Sequence, residues 1–106
     1  MKRQRTPDEQ AFHEIVALMP CVLCELLHLK QRSRTSVHHQ CEGAGMALRG
    51  GHFMVAALCK DECHQGPHGI HGDKQRLRHA KVTEADLIDI TVARAFADMR
   101  EVLGHG

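Results

Sequence analysis

Tryptophan and tyrosine are absent from this 106-residue chain, and phenylalanine occurs only three times. Its core must be built from Leu, Ile, Val, Ala and Met, and will be thin for its length. So low an aromatic content also leaves no broad platform for stacking bases, and weak sequence preference follows if nucleic acid is the partner. Long hydrophobic runs are missing too. The longest, such as Phe53–Cys59, fall far short of the ~20 apolar residues that a membrane-spanning helix needs. The charged start (Lys2, Arg3, Arg5) is not followed by the apolar stretch of a secretory leader. The expectation is one cytoplasmic domain, residues 1–106, with no membrane partner and with reduced cysteines.

Five Cys and ten His stand out against this background. Small cores are commonly stapled by a metal or by disulfides. An odd cysteine count in a reducing compartment argues against a complete disulfide framework and for metal ligation. The net charge of +1 conceals an asymmetry. Residues 1–83 hold twelve Lys/Arg against eight Asp/Glu, whereas residues 84–106 hold two against five. The basic residues cluster at Lys30, Arg32 and Arg34 and again at Lys74, Arg76, Arg78 and Lys81. Such clusters suit phosphate contacts, and Arg32, Arg34, Arg76 and Arg78 are the candidate nucleic-acid ligands. An ordinary solvated surface has the same composition.

Local signals divide the chain. Thr6-Pro7-Asp8-Glu9 is a capping box with proline at the first helical position. Phe12, Ile15, Val16 and Met19 follow at helical spacing, which predicts a helix over 7–19 that stops before Pro20. Cys21–Cys24 is a tight knuckle, and residues 25–37 have no clear pattern. Short strands are expected over Arg34–His39 and Phe53–Leu58, with Gly43, Gly45, Gly50 and Gly51 marking a loop between them. Cys63–Lys81 reads as a helix or helix-like turn interrupted by glycines. A second capping box, Thr83 with Asp86, opens a helix over 84–103. Its apolar face is Ile88, Val92, Ala95, Phe96, Met99 and Val102.

Cys21-x-x-Cys24 and Cys59-x-x-x-Cys63 are separated by 34 residues. Two short-spaced pairs can each give two thiolates to one ion, as in tetrahedral structural zinc sites. The alternative, a redox Cys-x-x-Cys, should open a helix inside a βαβ pattern, and Pro20 does not suit one. Cys41 is left over as a free or buried thiol. Among the histidines, His38-His39 ends a predicted strand, and neighbours on a strand point to opposite faces. His64 and His68 would share one face of a helix begun at Cys63, and His71 follows. Phosphodiester hydrolysis needs an activated water, charge neutralisation and help for the departing oxygen, which a metal ion with a nearby histidine base can supply. His13, His28, His79 and His105 have no such context.

The run Val37-His38-His39, a glycine-containing loop, an apolar strand, then Leu58-Cys59…Cys63-His64…His68 resembles the His-Asn-His (ββα-metal) endonuclease superfamily in its zinc-clamped form. Cys63-His64-Gln65-Gly66-Pro67-His68-Gly69-Ile70-His71-Gly72 is the most telling stretch. The likeness is to the small phage and prophage nucleases of the recombination-enhancement type, and it covers about residues 21–75. It implies a small ββα-metal core with a structural zinc; with the N- and C-terminal helices read from the capping boxes, the expected fold is α+β. It further implies that His38, His64 and His68 bind the catalytic ion, that His39 is the general base, and that Cys21, Cys24, Cys59 and Cys63 hold the structural Zn2+. The sequence contains no Asn, so the residue that ordinarily orients the base is missing. His52 is positioned to substitute, because an imidazole can also hydrogen-bond a backbone group. Three imidazoles favour Zn2+, Mn2+ or Ni2+ over Mg2+, which prefers oxygen ligands.

These readings converge on a metal-dependent endonuclease acting on DNA, with a recombinase or a phage complex as a further expected partner. A zinc-stabilised nucleic-acid-binding module without catalysis is the competing expectation. A third is an interaction module that presents the acidic C-terminal helix.

Overall fold

The computed structural model describes residues 5–41 and 53–104. The loop glycines Gly43, Gly45, Gly50 and Gly51, the proposed orienting residue His52 and the side chain of Val102 lie outside the described residues. Helix α1 spans Pro7–Leu18, close to its expected bounds. Its capping box is formed as read: Thr6 Oγ1 accepts from the Glu9 amide at 3.2 Å, and Glu9 Oε1 accepts from the Thr6 amide at 2.8 Å. The chain breaks at Met19–Cys21 and re-enters a short helix α2, Val22–Leu27, that follows the cysteine knuckle. The most apolar 18-residue window within Pro7–Leu27 has a mean hydropathy of 1.4. Phe12, Val16, Val22 and Leu23 are nevertheless committed to the core, each at most 1% exposed.

The patternless segment after α2 has a definite task. Gln31 Oε1 accepts from the Cys21 amide at 2.7 Å, while its Nε2 donates to Ser33 O and Thr35 Oγ1. Thr35 Oγ1 in turn donates to Met19 O at 2.6 Å. This bracket holds the first cysteine against the start of the sheet.

Strands β1, Thr35–His39, and β2, Val55–Cys59, form a two-stranded antiparallel sheet in which Val37 faces Ala57 and His38 faces Ala56. All five residues of β2 are buried, so this strand is the centre of the molecule rather than one half of an exposed hairpin. The fold is α+β.

The expected helix from Cys63 is replaced by a π-helical turn, Lys60–His64, a series of tight turns, and then a short helix α3, Gln75–Ala80. Glycine explains the compact turns. A Cβ on Gly69 would sit 2.4 Å from Cys63 O, and one on Gly72 would sit 2.2 Å from Pro67 O. A regular helix through this segment is replaced by a coil wound back onto the π turn.

Helix α4, Glu84–Gly104, opens on the expected box, with Thr83 and Asp86 exchanging backbone-to-side-chain bonds of 2.9 and 3.2 Å. Its buried stripe is Glu84, Leu87, Ile88, Thr91 and Ala95, rotated from the expected face. Phe96 is 43% exposed, although its ring lies 5.2 Å from Phe12 and 6.2 Å from Phe53 between centroids. Thr91 accounts for the rotation. Its hydroxyl donates to Leu87 O at 2.8 Å and accepts from the Ala57 amide at 3.1 Å, pairing an amide on the edge of β2 away from β1. Replacing Thr91 with Val should therefore cost about 1–3 kcal/mol, because it strands a buried donor. Denaturant unfolding measures this, with faster amide exchange at Ala57 as the local signature; unchanged stability would mean that the edge amide finds another acceptor.

Candidate metal centre

The cysteine pairs meet as their spacing implied. Cys21 precedes α2, Cys24 lies in its first turn, Cys59 ends β2 and Cys63 lies in the π turn. All four are buried, unpaired by disulfides and close enough to share one ion. Cys24 Sγ is 3.7 Å from Cys59 Sγ and 3.8 Å from Cys63 Sγ. Four thiolates about 2.3 Å from a tetrahedral zinc would be separated by about 3.8 Å, so the cage already has the required size.

The extra residue of the second pair is absorbed locally. In each pair the first sulfur accepts from the amide of the second cysteine at 3.4 Å. A π turn, closed by Gln65 N to Lys60 O at 2.9 Å, accommodates the longer gap.

Protonation explains why the cage suits a cation. Hydrogen bonds from Cys59 and Cys63 draw the Cys21 thiol down to about 2. Burial, followed by the charges of Cys21 and Cys59, pushes Cys24 up to about 12. Hydrogen bonding to Cys21 and Cys59, together with burial, pushes Cys63 upward as well. Protons are thus shared so that several thiolates do not coexist in a buried space, and a divalent ion removes that conflict by replacing them. Arg76 Nη1 donates to Cys63 Sγ at 3.3 Å, placing a cation beside the clamp. Arg76, one of the residues expected to contact phosphate, thus lies against the cysteine cage.

A second cluster includes His64, the residue after Cys63 in the π turn. The rings of His38, His64 and His71 form a nearly equilateral triangle, with centroids 5.1, 5.0 and 5.1 Å apart. One nitrogen from each lies within 4.8 Å of the others. His38 comes from β1 and is 1% exposed, His64 ends the π turn, and His71 is brought back by the glycine turns, its amide donating to His64 O at 3.3 Å.

Two hydrogen bonds engage one nitrogen on each of two of these rings. Ser36 Oγ donates to Leu58 O at 3.0 Å and lies 2.7 Å from His64 Nδ1. Its proton is committed to the carbonyl, so it accepts from His64 Nδ1–H and leaves Nε2 bare. His38 Nε2 is 2.5 Å from Glu84 Oε2, and its Nδ1 is buried with no hydrogen-bond partner among the described residues. A buried polar atom left this way is costly unless a ligand satisfies it. Burial lowers the pKa of both rings, to about 4 for His64, where the charges of His38, His71 and His39 add to the effect. Neutral imidazoles are the form that binds metal.

His68 does not join this cluster. Without a regular helix, positions 64 and 68 no longer share a face. His68 is exposed and paired through Nδ1 with Asp73 at 3.1 Å, and it lines an open pocket of about 310 Å³ with Leu27, Leu29, Gln75, Arg76 and His79. His71 takes the place expected of it.

His39 is exposed, as alternation along β1 requires, and its ring meets the buried His13 edge-on at 5.2 Å. Arg5 Nη1 lies 2.8 Å from His13 Nδ1. Arg32 and Arg34 are exposed before β1, and Arg78 donates to Asp73 O at 2.6 Å.

Sequence reasoning overlooked Ser36 and Glu84 and set His13 aside. Only the glycine-rich turns hinted that His71 could fold back. The chain matches no protein-family model, no curated protein and no solved structure.

Proposed function

We propose that this protein is a metal-dependent endonuclease of the His-Asn-His type, hydrolysing phosphodiester bonds of DNA on a small ββα-metal core held by a structural zinc. The observation that supports this most is the buried Nδ1 of His38, unpartnered among the described residues, beside the rings of His64 and His71. The ligand set differs from that of the family pattern: His38, His64 and His71 hold the ion, and His68 is outside it. With nitrogen ligands only, Zn2+, Mn2+ or Ni2+ suits the site better than Mg2+. Such an ion neutralises phosphate charge and supports the departing 3′ oxygen.

The remaining work belongs to the chain. His39, on the solvent side of β1, takes the proton of the attacking water and can return it to solvent. Exposed Arg32 and Arg34 contact backbone phosphates, which fixes the duplex without reading its sequence. The distinguishing experiment is cleavage of supercoiled plasmid by zinc-loaded protein with Mn2+, Ni2+, Zn2+ or Mg2+, beside His39→Ala at equal zinc content. Nicking that disappears in the variant is the expected result, and equal cleavage by both would remove His39 from the mechanism.

A second reading, a zinc-stabilised nucleic-acid-binding module without catalysis, is favoured by the placement of His39 on the strand face opposite His38. Salt-dependent DNA binding with no strand cleavage under any of the four metals would select it.

A further inference from the structure

We propose that Glu84 is a positioning residue for the imidazole cluster: by holding His38 Nε2–H it turns the bare Nδ1 of that ring toward His64 and His71. This rests on the reading of those three histidines as a metal site. Glu84 lies 46 residues from His38 in sequence and is the first residue of α4. Its side chain is 4% exposed, and a carboxylate so buried needs partners to offset its lost hydration. Among the described residues, Oε2 meets His38 Nε2 at 2.5 Å and the Cys41 amide at 2.9 Å. The positive end of a 21-residue helix further favours the ionised form.

The support is rigid as well as charged. The Thr83–Asp86 box fixes the start of α4, buried Leu87 and Ile88 hold its next turn, and Thr91 ties it to the amide of Ala57 on β2. Ala56, directly opposite His38 across the sheet, precedes that amide. Glu84 and His38 are thus attached to the same framework from two sides. A carboxylate accepts but cannot donate, so the bond requires a proton on Nε2 and leaves the Nδ1 lone pair as the only metal-binding atom of the ring. Ser36 does the corresponding work for His64 with the opposite nitrogen.

Glu84 has one other possible role. With His38 and Cys41 it also forms a group close enough to hold an ion itself. In that arrangement Nε2 would be a ligand, and Cys41 Sγ would matter as much as the carboxylate.

The test is Co2+ titration of protein whose cysteine clamp is already filled with zinc, for the wild type, Glu84→Gln, Glu84→Ala and Cys41→Ser. Calorimetry gives the affinity, and the paramagnetically shifted proton spectrum reports the exchangeable His38 N–H. Positioning by Glu84 predicts a loss of affinity of about 10–100-fold in Glu84→Ala. It also predicts a His38 N–H signal that is lost to solvent exchange in that variant and kept in Glu84→Gln, whose amide oxygen can still accept. Cys41→Ser should bind as the wild type does. Clamp zinc content and thermal unfolding identify any variant that has simply misfolded, in which case the near-isosteric Glu84→Gln decides: wild-type Co2+ affinity there with the His38 N–H signal lost to exchange would show that holding this proton does not position the ring, and would overturn the proposal. Wild-type behaviour of a folded Glu84→Ala would sink the proposal and leave the metal site standing. Equal losses in Glu84→Ala and Cys41→Ser would make Glu84 a ligand instead. A wild type that takes up no Co2+ beyond the clamp would refute the metal reading itself.

Discussion

Replacing Cys59 with Ser should abolish the cooperative fold. Cys59 is fully buried at the junction of β2 and the π turn, and the metal cage it completes joins α2 to the sheet. Structural zinc in small domains contributes an apparent ~10–16 kcal/mol. The whole stability of a typical domain is only ~5–15 kcal/mol, so losing the ion exceeds what this thin core can offset. Calorimetry and far-ultraviolet circular dichroism are the suitable readouts, since without Trp or Tyr the chain has almost no intrinsic fluorescence signal. Metal analysis should find zinc in the wild type and none bound to the clamp in the variant. A strong chelator should have the same effect on the wild type, reversed by added zinc. A cooperative, metal-free Cys59→Ser protein would refute the structural role. Arg76→Ala should be milder, because Arg76 donates to one sulfur and ligates nothing.

His71→Ala and His68→Ala should behave oppositely. His71 is one corner of the imidazole triangle, with its ring 5.0 Å from His38 and 5.1 Å from His64. Removing it deletes a ligand, so the second-site affinity should fall by more than the about 10–100-fold typical of losing a supporting residue. Plasmid nicking should fall with it, while the clamp keeps its zinc. His68→Ala removes only an exposed pair with Asp73, an interaction worth little in water, and should leave metal binding and nicking at their wild-type levels. Metal titration and plasmid cleavage on both variants check this directly. The reverse pattern, with His68 essential and His71 dispensable, would restore the family's ligand order and refute the triangle as a site.

The contrast between these two histidines shows where sequence spacing stops being informative. His64 and His68 stand four apart, which puts them together only if the backbone between them is a regular helix. Gly66, Pro67 and Gly69 instead wind the chain back on itself, and the pair separates. The same limit applies to Arg76, which a charge cluster suggested for phosphate and which α3 places against Cys63. The face of α4 was displaced for a related reason. Hydropathy favoured Phe96, whereas Thr91, a polar residue, takes the buried stripe because a strand-edge amide needs its hydroxyl.

The sequence by itself determined the features whose causes lie within a few residues: both capping boxes, the bounds of α1, the short strands, and two cysteine pairs with chelating spacing. Capping and chelation operate over three or four residues, so their signatures survive in the linear chain. Only the tertiary structure decided that His71 joins His38 and His64, that Glu84 reaches His38 across 46 residues, and that Ser36 orients His64. Those contacts depend on how α4, the sheet and the π turn pack together. A buried polar atom takes the partner that packing brings within reach, whatever the distance between them along the chain.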